Sequence, residues 1–189
     1  ITDSTISGNS GALGGGVATS RPLYLANSTI ASNTGVGGGG GVMFVLAGVY
    51  DSAGILATQS SIIATNTVGD APAFAADLGA DDALDVTGAN NLVVDADAAI
   101  VLPADTIAAD PLLLRLADNG GPTRTRALDA GSPAIDAGNN AAALDFDQRG
   151  DGFGRVAGAA ADIGAFERQA PDDTIFGDGF DGPPPPREP

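Results

Sequence analysis

One short pattern recurs three times in this chain, and its register constrains the fold more than any other feature. The copies are Ser4-Thr5-Ile6-Ser7-Gly8-Asn9, Ser28-Thr29-Ile30-Ala31-Ser32-Asn33 and Ser61-Ile62-Ile63-Ala64-Thr65-Asn66. Ile6 and Ile30 are 24 residues apart, as are Asn9 and Asn33, and the steps Ile30 to Ile63 and Asn33 to Asn66 are both 33. A flexible Gly/Ser linker has no reason to hold Ile and Asn in register, whereas a period in the twenties is the signature of a solenoid. The segments inside each unit are short and β-branched, and none shows a sustained helical period with caps. The expectation is an all-β chain, a β-solenoid in which the same strand of successive units pairs in parallel.

That reading gives the repeated residues physical roles. Ile6, Ile30 and Ile63 form one core column. Asn9, Asn33 and Asn66 form a ladder, because an amide can donate to the unit on one side and accept from the other. Glycine clusters ahead of Val, Gly14-Gly15-Gly16-Val17 and Gly37 through Gly41 before Val42, fall where the chain turns sharply or approaches its neighbour. The longer second spacing is accounted for by an insertion at roughly residues 43–51.

Composition narrows the chemistry. The chain of 189 residues carries 24 acids against 8 bases, all of them Arg, for a net charge of −16. Nucleic acid is excluded as a partner, since phosphate binding needs clustered cations. An acidic polysaccharide is repelled unless a divalent cation bridges the surfaces. There is no Cys and no His, which removes disulfides, thiolate chemistry, the Ser-His-Asp triad and most transition-metal sites. No stretch is long and apolar enough for a membrane span. The start at "ITDS" reads as a signal peptide already removed or a piece of a longer protein, in which this portion is monomeric.

From about residue 70 the texture becomes irregular, with strand-like pieces Leu84-Asp85-Val86-Thr87 and Asn91-Leu92-Val93-Val94 between Asp/Asn/Gly turns. Three regions are expected: solenoid coils over 1–103, terminal coils or a cap over 104–168, and a Pro-rich extended tail over 169–189.

The repeat units look like those of right-handed parallel β-helix proteins of the bacterial surface and secretome, a group overlapping polymorphic outer-membrane-protein-like sequences. Residues 110–167 resemble the choice-of-anchor Q region that closes many such proteins. The match rests on Leu116-Ala117-Asp118-Asn119-Gly120-Gly121-Pro122-Thr123, Gly131-Ser132-Pro133-Ala134-Ile135-Asp136-Ala137-Gly138, Asp147-Gln148-Arg149-Gly150 and Asp162-Ile163-Gly164-Ala165-Phe166-Glu167. Arg126 departs from the family, which commonly has His there. "IFGDGF" at 175–180 is similar to a C-terminal tail of some secreted gammaproteobacterial proteins. The resemblance implies a pectate-lyase-like β-helix architecture and an extracellular or bacterial outer-surface location, and it carries no established reaction.

Candidate sites are few. Asp145, Asp147 and Asp151, interleaved with glycines, form a calcium candidate, calcium being the one cofactor considered. Arg149 stands where another oxygen ligand is expected, so the favoured reading is structural: Arg149 or Arg155 pairs with Asp147 or Asp162 to pin the last strand. Asp81-Asp82 and Asp172-Asp173 are adjacent acids, but strand neighbours point to opposite faces, so neither pair suits glycoside hydrolysis. Arg115, Arg124 and Arg126 are the basic cluster and read as surface ion-pair partners. The sequon-like Asn27-Ser28-Thr29 is explained by the repeat. No catalytic residue is assigned.

Two functions follow as expectations. The first is a non-catalytic secreted or cell-surface module, structural or adhesin-like, meeting surface polysaccharide or a host or cell-surface protein. The alternative is the C-terminal part of a polysaccharide lyase or glycoside hydrolase whose active site lies upstream. The first unit is expected to expose an unpaired edge, making the portion prone to aggregation or marginally stable.

Overall fold

In a computed structural model, residues 1–46, 54–69 and 74–169 are described. Among them the chain is all-β, with no helix. The first unit contributes β1 (Thr5–Ser7), β2 (Ser10–Gly11), β3 (Val17–Thr19) and β4 (Leu23–Ala26). The second contributes β5 (Thr29–Ala31), β6 (Thr34–Gly35), β7 (Val42–Phe44) and β8 (Gly54–Gln59). The third contributes β9 (Ile62–Ala64), β10 (Thr67–Val68), β11 (Leu78–Ala80) and β12 (Leu84–Ala89), and a fourth begins with β13 (Leu92–Val93).

Equivalent strands pair in parallel, giving the sheets β1-β5-β9-β13, β2-β6-β10, β3-β7-β11 and β4-β8-β12. Parallel strands in stacked sheets are compatible with a parallel β-solenoid. Ile6 pairs with Ile30 and Ile30 with Ile63. Ile62 and Ile63 in turn pair with Leu92 and Val93. Met43 and Phe44 lie inside β7, opposite Ala18 and Thr19, and the Val45 N–H still bonds Thr19 O. The insertion expected at 43–51 therefore starts after Val45, and residues 47–51 lie outside the described residues.

Side chains alternate across a strand, so each sheet has two faces. Ile30, Ile63 and Val93 join Val42, Phe44 and Leu78 from the third sheet and Leu23, Leu25 and Leu56 from the fourth in one buried cluster. On the other face of the first sheet the register runs Thr5, Thr29, Ile62, Leu92. This column becomes apolar along the stack and is covered by the C-terminal region.

Two corners of each unit use left-handed backbone. Asp3, Asn27, Ser60 and Asn90 precede the first sheet with φ of 50°, 46°, 48° and 56°. Gly8, Ser32 and Thr65 follow it with φ of 76°, 56° and 57°. Asn and Gly tolerate that region, while a β-branched Thr is strained in it.

Past the Leu92 to Ile107 bridge, β14 (Leu113–Ala117) and β15 (Thr125–Leu128) form an antiparallel hairpin with an irregularity between Leu113 and Leu116. Residues 113–168 add no further four-strand unit. They lie along the flank of the stack, where Ala127, Leu128, Ala134, Ile163 and Phe166 bury Ile62, Ala64 and Leu92. Within the stretch expected as terminal coils or a cap over 104–168, these residues cover the side of the first sheet. The cause is the apolar outer column of the first sheet, which has to be buried.

Candidate functional site

The Asn ladder is built by side-chain amides. Asn9 N and Nδ2 donate to Asn33 Oδ1 at 3.0 and 3.1 Å, and Asn33 N and Nδ2 donate to Asn66 Oδ1, both at 3.0 Å. Nδ2 of Asn33 also donates to Ile6 O, and that of Asn66 to Ile30 O, so each amide ties its unit to the one before. The ladder ends on Asp77, whose Oδ1 accepts from Asn66 N at 2.9 Å and Nδ2 at 2.8 Å, and whose Oδ2 accepts from Asp95 N at 3.1 Å. Asp77 follows Gly16 and Gly41 in register, each the residue before a third-sheet strand. A Cβ on Gly16 would stand 3.0 Å from Asn33 Nδ2, and one on Gly41 2.6 Å from Asn66 Nδ2. In the fourth unit Ala96 already bridges Leu78 of the third sheet and no Asn follows Val93 at the ladder spacing, so at position 77 a side chain fits and closes the ladder. Burial pushes the Asp77 carboxyl upward, against the hydrogen bonds it accepts. No motif in the sequence marks Asp77, because its distance from Asn66 lies outside the repeat.

The corner column before the first sheet fastens the C-terminal region. Asn27 Nδ2 donates to Asn139 O, Asn139 N to Ser60 Oγ, Asn139 Nδ2 to Asn90 Oδ1 and Gly164 N to Ser60 O. Ala165 N donates to Thr29 Oγ1 at 3.0 Å, and Gly164 comes so close that a Cβ there would stand 2.7 Å from the same oxygen. Asn27 of the sequon is fully buried and its amide nitrogen is engaged by Asn139 O, so in the folded protein the repeat accounts for it.

The seam between the first unit and the C-terminal region holds Asp3, Asp147, Asp162 and Glu167 against Arg149 and Arg155. Arg149 forks onto Asp147, with Nη2 at 2.7 Å, and its guanidinium lies 3.9 Å from the ring centroids of both Phe153 and Phe166. Arg155 pairs with Glu167 at 3.0 Å and with Asp3 at 3.6 Å. It meets Asp162 through the backbone carbonyl, while the Asp162 carboxylate accepts from Asp136 N and Arg168 N. Residues 162–167 form no strand, so these contacts pin an irregular segment rather than a last strand. Burial raises Asp3 to about 6, opposed by Arg155 and reinforced by Asp147, and burial likewise raises Asp162 and Glu167.

The calcium candidate separates spatially. Asp147 is committed to Arg149 and to Glu167 N, whereas Asp145 and Asp151 are exposed. Among the described residues no group of three carboxylates is placed to hold a metal. Asp82 accepts from Ala83 N and Asp81 from Leu46 N. Asp172-Asp173 and the 175–180 motif lie outside the described residues, as does the tail beyond Gln169. Arg126 bonds Ser7 Oγ at 2.8 Å and Leu114 O, and burial lowers its pKa.

Two hollows remain. One of about 360 Å³ is lined by Thr65, Asn66, Asp77, Asp95 and Asp110, but Asp77 and Asp95 already accept backbone N–H groups. The other, about 260 Å³, opens on the outer face of β4-β8-β12 and is lined by Thr2, Tyr24, Ala26, Ala57, Thr58 and Gln59, among others. Tyr24 is 63% exposed there, because alternation in Leu23-Tyr24-Leu25 turns both leucines inward. Strand alternation held that signal, yet no local motif singles out Tyr24.

No family model, curated protein or solved structure matches the chain. Among the described residues, no helix is long and apolar enough to cross a membrane.

Proposed function

We propose that the chain is a right-handed parallel β-helix of pectate-lyase-like architecture with a choice-of-anchor Q type C-terminal region. Its role is that of a non-catalytic structural or adhesin-like module of the bacterial outer surface or extracellular space. The parallel register of four sheets and the Asn ladder support the architecture. The state of the buried carboxylates carries the functional reading. Asp77, Asp147, Asp162 and Glu167 each accept fixed N–H groups, which suits scaffolding. A carboxylate used as acid or base has to face a substrate and exchange its proton with it.

The test has two arms. Incubation with polygalacturonate, alginate, xylan and arabinan is expected to release no reducing ends and no unsaturated uronate. Fractionation of the producing cells is expected to find the protein at the surface or in the medium. Cleavage of any of these polymers, or residence in the cytoplasm, would overturn the reading.

A further inference from the structure

We infer that the outer face of β4-β8-β12 is a contact site for a neutral polysaccharide, with Tyr24 as its stacking platform. This inference rests on the surface-module reading above and names its partner. Tyr24 stands in register with Ala57, and Ala57 with Thr87, so the aromatic ring at one end of the strip is followed by small side chains. The neighbouring column runs Ala26, Gln59, Ala89. The result is a shallow floor with one aromatic wall, edged by the polar side chains of Thr2 and Gln59. Nε2 of Gln59 is held by Ala89 O at 3.0 Å, which fixes the amide in place.

Charge selects the occupant. In a chain of net charge −16, no charged side chain lines this hollow. A uronate or sulfated polymer approaching it is repelled by the surrounding field and meets no Arg side chain, only the Ile1 ammonium already held by Tyr24 O at 2.8 Å, while a cationic peptide finds no carboxylate in the hollow to hold it. A neutral pyranose offers what the lining offers in return: an apolar C–H face for the Tyr24 ring and hydroxyls for Gln59 and Thr2. Tyr supplies a large, rigid contact area at low entropic cost, which suits a shallow site. The second hollow is lined by three carboxylates and has no aromatic side chain.

Affinity gel electrophoresis of the intact protein tests this with cellulose-derived soluble β-glucan, xylan, galactomannan and polygalacturonate as probes. At least one neutral polymer is expected to retard the protein, and polygalacturonate is not. Tyr24→Ala is expected to weaken that retention about tenfold, the loss of a hot-spot aromatic, and Tyr24→Phe to keep it. Gln59→Ala is expected to weaken it severalfold. Because Tyr24 is exposed, an unchanged melting curve confirms that the variant is folded. Retardation by no neutral polymer, equal retardation by polygalacturonate, or retention unchanged in folded Tyr24→Ala would each overturn the inference. Those outcomes leave the surface-module reading standing, since that reading falls only with polymer cleavage or cytoplasmic residence.

Discussion

Asn66 donates both its backbone N–H and its side-chain Nδ2 to Oδ1 of Asp77, so a ladder of neutral amides terminates on a buried carboxylate. Each rung accepts from the unit before it, which leaves the last rung with donors to satisfy. Asp77 satisfies them from within its own unit and uses its second oxygen for Asp95 N. Asp77→Ala leaves the backbone N–H groups of Asn66 and Asp95 without an acceptor, while Asn66 Nδ2 keeps Ile30 O and Ala64 O, and is expected to cost about 3 kcal/mol. Asp77→Asn keeps the Asn66 bonds but turns an N–H toward Asp95 N, for a loss of about 1 kcal/mol. Urea unfolding of the two variants checks the order, and equal losses would contradict the assignment.

The corner at Thr65 offers the opposite sign. Thr65 is exposed at φ 57°, and the first unit has Gly8 at the same corner. Thr65→Gly relieves the left-handed strain of a β-branched residue and is expected to raise stability by about 0.5 to 1 kcal/mol after the entropy of glycine is subtracted. A lowered melting temperature would show that the corner carries no such strain.

Arg149 distinguishes a shaped cation from a point charge. Its guanidinium is sandwiched by Phe153 and Phe166 while forking onto Asp147. Arg149→Ala leaves the Asp147 carboxylate buried without its cation and is expected to cost about 3 to 5 kcal/mol. Arg149→Lys restores charge but neither the fork nor the stacking, so it recovers less than half of that loss. Thermal melts of the pair decide the matter, and a lysine variant as stable as the parent would refute it.

The pH dependence follows from Asp3. Its carboxyl moves from 3.8 to about 6 on folding, so the folded chain holds that proton more tightly than the unfolded one. The resulting stabilisation is complete below about pH 4 and is lost as the pH rises through about 6. Asp3→Asn keeps a neutral group at all pH. With the side chain 21% exposed, its expected advantage is about 1 to 2 kcal/mol at pH 7, vanishing near pH 4. Asp77, Asp162 and Glu167 shift in the same direction, so the unmodified protein is expected to unfold at higher urea in mild acid than at neutrality. Equal midpoints for Asp3→Asn and the parent at pH 7 would overturn the account.

The stack was legible because its information is local and repeated. Parallel in-register pairing sets each residue over its equivalent one unit away, so the spacing of Ile6, Ile30 and Ile63, and of Asn9, Asn33 and Asn66, is itself the geometry. The Gly16 and Gly41 positions follow the same logic, since an Asn from the next unit passes over each. Asp77 was not legible, because it matters only where the repeat stops. Tyr24 was half legible: alternation turned it outward, but nothing local marked its hollow.

By itself, then, the sequence determined the units, their register and the columns that fill and bridge them, because translation along a stack converts spacing into contact. Only the tertiary structure decided where residues 113–168 lie. Their anchors, among them Thr5 to Gln148 across 143 residues and Ala165 to Thr29 across 136, are individual polar contacts with no period to announce them. What draws them there is the outward Ile62 and Leu92 column, whose burial depends on a surface that exists only once the sheet has formed.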